Sequence, residues 1–392
     1  MDFELTERQK ELKKEIIEFC FEPENQRMLQ DLLGKGDFYN AHSWELFRKM
    51  AEMGWISLNW PREYGGLGYT PGEMSVFHET MSYYRMPMTG LILTSLIGNI
   101  IAYFGSDELK REFLPRAAIG DLLFCLLYTE PDAGSDLAAV NAMAEEDGDF
   151  FIINGTKIFT TLGHEAHYGL MAARTDTEVP RTKGISMFLV PLDAEGVTVN
   201  PIYTMGGGRV SEEVFSNVRI PGRYMIGRKN EGWMVLSTAL GLERGSLAGV
   251  IAQGKRYFGE LLAEIRKRRL DSNPVVQQQI AQIEIELEIA DLMNWNLISL
   301  ISHGNLPIAE VAMAKLFISE SMKQLSNVSM NILGFPALLK RDSECSPLGG
   351  IAEYFYQVAT MITVGGGSSE ILQRIIARVG LGLPEEGFRG KG

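Results

Sequence analysis

The stretch Leu126-Leu127-Tyr128-Thr129-Glu130-Pro131-Asp132-Ala133-Gly134-Ser135-Asp136 tells more about this chain than any other segment of its length. It begins apolar, in the manner of a buried strand, and runs into a cluster of small, polar and turn-forming residues. A loop of this composition brings backbone close to a ligand and offers N–H and hydroxyl donors to it. The same composition also builds an ordinary surface turn, so the surrounding sequence has to separate the two.

On the N-terminal side of this stretch the pattern is helical. Segments 43–53, 72–84 and 107–118 are broken by Gly and Pro punctuation in NWPREYGGLGYTPGE. From about Phe124 to Ile226 the period shortens to that of strands. Asp147-Gly148, between MAEE and DFFIING, predicts a hairpin turn. GLMAAR, ISMFLV, VTVNPIY and EEVFSNVRI follow as further strands, which predicts a β-barrel or sandwich. Helices return from Gly232, where Val276, Ile280, Ile283, Leu287 and Ala290 repeat at spacings of four, three, four and three, a bundle-forming seam. The expected fold is thus α+β and multidomain: helical over residues 1–122, β over 123–228 and a helical bundle over 229–392. The long C-terminal helices, apolar on more than one side, predict oligomer formation.

Composition excludes several classes. With 392 residues the chain can bury a large core, and 45% hydrophobic with 22% charged residues is ordinary for a globular protein. A formal net charge of -13 argues against nucleic acid or an anionic membrane surface as partner, though not against a phosphate-bearing ligand. Cys20, Cys125 and Cys345 lie far apart without a CxxC pair, which predicts neither disulfides nor a zinc site. The scattered histidines read as structural. The N-terminus is charged and amphipathic, and no apolar run reaches the length of a membrane span, so a cytoplasmic location is expected.

No GxGxxG or GxxxxGK[ST] motif appears, which disfavours a nicotinamide dehydrogenase or a P-loop enzyme. A glycine run does occur late, at Val364-Gly365-Gly366-Gly367-Ser368-Ser369-Glu370, ahead of a predicted helix. Its serines suit a helix cap, and its glycines also leave N–H groups open to an approaching anion or polar ring. Both readings stand on these residues alone.

YTEPDAGSD closely resembles the signature of the flavin-dependent acyl-CoA dehydrogenases, and the likeness extends along nearly the whole chain. INGTKIFTTLGHEAHYGLMAAR resembles the family's second flavin-contacting stretch. GISMFLVP, EEVFSNVRIPGRYMIGRKNEGW, KRYFG, MAKLFISESMKQLSN, NILG and GGSSEILQRIIAR follow in family order. The resemblance implies an N-terminal helical domain, a middle β-domain and a C-terminal four-helix bundle, with FAD at the subunit junction of a tetramer. It places Tyr128 and Thr129 against the isoalloxazine ring and Ser135 near the CoA moiety. Phe159 stands where the family has an aromatic residue on the flavin, and Thr161 matches a hydroxyl donor near the flavin N5. Taken singly, Phe159 also reads as core and Thr161 as a strand-forming choice. Lys255 occupies the position of an Arg that reaches the FAD pyrophosphate, with Arg256 adjacent as a substitute and Phe258 matching. Asn331 replaces a usual Gln, Gly334 matches, and Ser368 and Glu370 fall on positions that meet the adenosine side of FAD.

The chemistry so implied is α,β-dehydrogenation of an acyl-CoA thioester. A carboxylate removes the α-proton while the β-hydrogen leaves as hydride. In most of the family that carboxylate belongs to an E-G-T-S-E-I pattern, and the same register here reads Gly366-Gly367-Ser368-Ser369-Glu370-Ile371, so the base position holds Gly366. A minority, including isovaleryl-CoA dehydrogenases, carries the base in an L-x-L-E-R context, matched here by Leu240-Gly241-Leu242-Glu243-Arg244. The resemblance therefore assigns the base to Glu243, against the alternative of a solvated Glu paired on its helix. It assigns an enolate-binding backbone N–H to Gly366, and places Arg244 and Gly367 with the substrate. A glycine at 366 opens space beside the substrate Cα, which predicts a bulky, branched or cyclic acyl group. Electrons are expected to pass to an electron-transferring flavoprotein and the assembly to be a homotetramer. Two alternatives stay open: a subunit of a heteromeric dehydrogenase sharing catalysis with a paralogue, and a flavin oxidase or monooxygenase on the same fold.

Overall fold

Serine and asparagine caps start the helices where the sequence changes from turn to apolar period. In the computed structural model of the chain, which describes residues 4–33, 41–243, 247–305, 307–341 and 343–384, Ser43 accepts from the Leu46 N–H at 3.3 Å to open α3 (Trp44–Glu52). Ser106 does the same at 3.2 Å for α6 (Asp107–Ala118), whose first turn carries Asp107 and Glu108 where the helix dipole favours them. Asn273 caps α9 (Pro274–Ser302) with proline at its first position. The remaining helices of the first stretch are α1 (Glu7–Phe21), α2 (Pro23–Leu33), α4 (Pro71–Tyr83) and α5 (Thr89–Phe104). α7 (Gly232–Glu243), α8 (Leu247–Lys267), α10 (Ile308–Leu333), α11 (Ile351–Ile362) and α12 (Ser369–Ile375) complete the set. Among the described residues, no helix is long and apolar enough to cross a membrane.

Between α6 and α7 lie the strands β1 (Phe124–Leu127), β2 (Met143–Asp147), β3 (Phe150–Thr161), β4 (Tyr168–Arg174), β5 (Ile185–Pro191), β6 (Val197–Tyr203), β7 (Arg209–Pro221) and β8 (Met225–Ile226). They form one sheet in the order β6-β7-β3-β2-β4-β5-β8, with β1 parallel to β4. Asp147 pairs with Phe150 across Gly148, whose φ of +61° is the left-handed conformation a tight hairpin requires. Side chains from β1 (Cys125, Leu127), β2 (Ala144), β3 (Phe151, Ile153), β4 (Met171, Ala173), β5 (Phe188, Val190) and β7 (Phe215, Val218, Ile220) meet in one core. β5 is buried on both faces from Ile185 to Val190, as expected of a strand covered by helix on its second side.

The chain divides into two compact units. One comprises Met1–Ile17, Pro71–Arg85 and Arg244–Gly392; the other comprises Glu18–Thr70 and Met86–Glu243. The first is helical. Tyr257, Phe258 and Leu261 of α8, Ile283 and Leu287 of α9, Met322 and Leu325 of α10 and Phe355 of α11 share its main core. Each such side chain contributes roughly 1.5–3 kcal/mol by leaving water. The seam of α9 falls as the spacing predicts: Val276, Ile283, Leu287 and Ala290 are buried, and Ile280 packs against the same core. α4 belongs to this unit, where Ser75 Oγ accepts from the buried Asn294 Nδ2 of α9 at 3.1 Å. The second unit holds the sheet together with α2, α3, α5, α6 and α7.

Candidate active site

The loop that follows β1 is held by a buried ion pair. Glu130 and Lys157 lie 2.7 Å apart, with the Lys157 side chain fully buried and that of Glu130 nearly so. Lys157 Nζ also donates to the Tyr128 carbonyl at 3.2 Å and to the Ala172 carbonyl at 2.8 Å, which uses its three protons. Glu130 in turn accepts from the backbone N–H groups of Asn141 at 2.6 Å and Ala142 at 2.9 Å. Burial draws the Lys157 ammonium down to about 8, opposed by the Glu130 carboxylate, so it keeps its proton at neutral pH. Glu130 and Ala133 exchange backbone hydrogen bonds of 3.0 and 3.1 Å, closing a tight turn over Pro131-Asp132. Thr129 accepts from the Ile158 N–H at 2.9 Å, joining the loop directly to β3. Tyr128 is buried, Thr129 half-buried, and Ser135 exposed.

β3 breaks its own ladder at this place. Lys157 pairs with Glu213 and Thr160 pairs with Ser211 across β7, so Ile158 and Phe159 together face the single residue Glu212. Such a bulge bends the strand and re-aims a side chain. Phe159 sits in it with φ +61° and is 61% exposed, a conformation and an exposure that a large apolar residue seldom combines. Thr161 follows, half-buried, and Leu162 is again left-handed at φ +59°. Beneath the bulge lies Glu213, fully buried, accepting from Ser211 Oγ at 2.5 Å and from Thr160 Oγ1. The surface offered by this unit is therefore an exposed aromatic ring on a strand bulge, with the half-buried Thr161 two residues on. Such a surface fits a flat heteroaromatic group with a polar edge.

The glycine run forms a second anchored turn, in the helical unit. Gly366 has φ +68° and Gly367 φ +106°, values that glycine adopts without strain. Lys315 of α10, buried, donates to the carbonyls of Ile362 at 2.9 Å and Gly367 at 2.8 Å. Ser369 N–H reaches the Thr363 carbonyl at 3.1 Å. Ser368 caps α12 by accepting from the Ile371 N–H at 3.4 Å. Glu370 is exposed, its carboxyl held below the usual carboxylate range by its own backbone N–H and the Ser368 hydroxyl.

The other sequence-predicted residues fall as follows. Glu243 ends α7, but its side chain and all of Arg244 lie outside the described residues. Lys255 is engaged by Asp291 at 2.7 Å and Glu288 at 3.6 Å. Arg256 pairs with Glu260 at 3.1 Å and donates to the Tyr83 carbonyl at 2.7 Å. Both cations are therefore already engaged by carboxylates within the helical unit. Phe258 is 5% exposed and packs inside the helical core. Asn331 is exposed near the end of α10, and Gly334, at φ +67°, caps that helix through its N–H to the Met330 carbonyl at 2.9 Å.

Lys157, Glu213 and Lys315 were not singled out from the sequence, although two of them carried a signal. Lys157 has the same strand parity as Phe151 and Ile153, which point inward. Lys315 lies three residues after Ala312 and three before Ile318, on a buried helix face. A cation at an inward position is a sign of a bound partner.

The comparisons agree with this geometry. Three family models match in chain order: acyl-CoA dehydrogenase, N-terminal domain, over residues 6–121; middle domain, over 125–218; and C-terminal domain, over 230–381. Acyl-CoA dehydrogenase FadE26 of Mycobacterium tuberculosis is 34% identical over 404 residues, covering 98% of this chain and 99% of its own. Among solved structures, the Tcur3481-Tcur3483 steroid ACAD superposes with a TM-score of 0.90 at 31% identity, covering 98% of this chain and 100% of that one. A chain of the ChsE4-ChsE5 complex from Mycobacterium tuberculosis gives 0.85 at 33% identity, covering 98% and 100%. The chain belongs to the acyl-CoA dehydrogenase family and is an oxidoreductase enzyme of that family. The family is one of flavoproteins, and the exposed Phe159 ring of the β-unit suits a flavin.

Proposed function

We propose that the protein catalyses FAD-dependent α,β-dehydrogenation of an acyl-CoA whose acyl group is bulky and ring-bearing, with Glu243 as the base. The observation that carries this reading is the glycine at 366: a left-handed position anchored by Lys315, in the register where most of the family holds its carboxylate. Glu243, at the end of α7, is then the carboxylate available to take the α-proton. An α-proton beside a thioester is weakly acidic, so its removal needs hydrogen bonds on the developing enolate oxygen. The Gly366 N–H supplies one of them, and the missing side chain leaves room for a large acyl group. FAD, when bound, supplies the hydride acceptor. Tyr128, Thr129, Phe159 and Thr161 hold and orient it, with Ser368, Glu370, Asn331 and Gly334 on its far portion. Ser135, Arg244 and Gly367 meet the substrate, and an electron-transferring flavoprotein takes the electrons onward.

The name of one structural neighbour, a steroid ACAD, supports a ring-bearing acyl group. Ile285, Ile289 and Leu292 stand exposed along α9 at spacings of four and three, which supports assembly with other chains through this helix. Whether the partners are identical copies or a paralogue is the second part of the proposal. The ChsE4-ChsE5 neighbour, a complex of two differently named chains, favours a paralogue. The division into domains at residues 122 and 228 and a cytoplasmic location complete the reading.

Anaerobic reduction of the bound flavin by a panel of acyl-CoAs tests the substrate claim. Ring-bearing thioesters are expected to bleach the flavin fastest, and a clear preference for butyryl- or octanoyl-CoA would overturn it. Stoichiometric FAD on the chain purified alone supports identical copies; FAD retained only after mixing with a paralogue supports the heteromer.

A further inference from the structure

The β-unit contains a buried carboxylate that the proposed chemistry does not use. Glu213 is fully buried on β7, and no ion pair to it occurs among the described residues. Its two oxygens are taken by hydroxyls: Ser211 Oγ donates at 2.5 Å to one, and Thr160 Oγ1 donates to the other. Ser211 Oγ also lies 3.3 Å from the Thr160 carbonyl, so the three side chains form one closed polar cluster. An uncompensated carboxylate is costly to bury, and an apolar residue at this inward position would avoid that cost. Burial accordingly pushes its carboxyl up, while the two hydroxyl hydrogen bonds hold it down. Glu212, its chain neighbour, pushes it up further.

The cluster has one distinctive location. Thr160 is the residue at which the β3–β7 ladder resumes after the bulge, and Ser211 is its partner across the ladder. Phe159 immediately precedes it and Thr161 immediately follows. The turn beyond is fitted to the same carboxylate. A Cβ on Gly163 would come within 2.2 Å of Glu213 Oε1 and 2.4 Å of Ser211 Oγ, so glycine there leaves the space that Glu213 occupies. The left-handed residues Phe159 and Leu162 thus bracket a segment pinned from below by a single side chain.

We propose that Glu213 is a positioning residue for the flavin face. By holding Thr160, Ser211 and the Gly163 turn, it fixes the strained bulge that presents the Phe159 ring and the Thr161 hydroxyl. The proposal rests on the reading that Phe159 and Thr161 meet the flavin. It names a residue with no contact to the cofactor or the reacting atoms, acting through its neighbours.

The test uses the full-length protein with Glu213→Gln, Glu213→Leu, Thr160→Val and Phe159→Ala, each assayed for FAD affinity, flavin absorption spectrum and amide hydrogen exchange of residues 158–163. Glu213→Gln keeps one acceptor oxygen and turns its amide N–H towards the other hydroxyl, which then accepts, and is expected to stay within about threefold of wild type in FAD affinity. Glu213→Leu is expected to lose at least tenfold, to shift the flavin spectrum and to speed exchange across 158–163. Where Glu213→Leu fails to fold, Thr160→Val provides the same reading by removing one contact, with a smaller loss and the same spectral shift. The proposal is overturned if the folded Leu and Val variants retain wild-type FAD affinity, spectrum and exchange while Phe159→Ala alters the spectrum. If Phe159→Ala leaves the spectrum unchanged, the underlying assignment of the flavin face fails instead.

Discussion

Two short loops rich in small residues, Tyr128–Asp136 in the β-unit and 364–369 in the helical unit, are each anchored by a buried lysine, and the anchors tie different stretches of backbone. Lys157 faces a carboxylate and two carbonyls; Lys315 donates to the carbonyls of Ile362 and Gly367. The first anchor is an ion pair tied to three separate stretches of backbone: the loop itself, Asn141-Ala142 and β4 through Ala172. The second fastens Ile362 and Gly367, the two ends of one turn. A loop that presents side chains has to be rigid against its neighbours, because the angle of Tyr128 and Thr129 depends on the whole segment. A turn that presents a backbone N–H needs only the correct φ and ψ at its glycines. The difference in anchoring follows from what each loop offers.

That contrast makes its strongest prediction at Lys157. Lys157→Met leaves the Glu130 carboxylate buried without its cation, a change expected to cost about 3–5 kcal/mol of stability. Denaturant unfolding would show it, and a loss below about 1 kcal/mol would mean that the ion pair is not what holds the loop. Lys315→Met removes the hydrogen bonds to the Ile362 and Gly367 carbonyls. It is expected to cost about 2 kcal/mol, with flavin retained and turnover reduced as the Gly366 turn loosens. Equal losses for the two variants would remove the distinction drawn between the anchors.

The smallest expected effect is a pH dependence that the two units share. His42, in the β-unit, and His78, in the helical unit, are both drawn down to about 4 by burial. The unfolded chain takes up these protons near 6.5, so it binds more protons than the folded chain between about pH 6.5 and 4. Stability is therefore lost as pH falls through that window and is fully present above it. At pH 5.5 each histidine accounts for a loss of about 1 kcal/mol relative to neutral pH. Thermal unfolding of His78→Leu at pH 7.5 and 5.5 should show a smaller acid-induced drop in Tm than wild type. An unchanged drop would place the acid sensitivity elsewhere.

Much of this molecule was legible in its sequence, and the exceptions have physical causes. The Asp147-Gly148 hairpin and the α9 seam were readable because strand and helix periods are local properties. The grouping of α4 with α8, α9 and α10 was not. α4 is buried around most of its circumference, from Gly72 to Ser82, so its pattern points to no single partner, and its unit is completed by residues more than 160 positions later. Phe258 shows the opposite limit. A match to a motif suggested a cofactor contact, and the ring also packs in the helical core, a role that the motif alone does not announce. Glu213 had no signal at all, since a carboxylate on a strand normally reads as its solvent face. Only the bulge between Lys157 and Thr160, which the sequence does not announce, reveals what it holds.

The central claim is that the carboxylate missing at Gly366 is supplied by Glu243. Anaerobic mixing of the FAD-loaded protein with a ring-bearing acyl-CoA, followed by flavin absorbance in wild type and Glu243→Gln, tests it most directly. The account predicts that the Gln variant retains FAD and binds the thioester but bleaches at least about 100-fold more slowly. Reduction at the wild-type rate would contradict it.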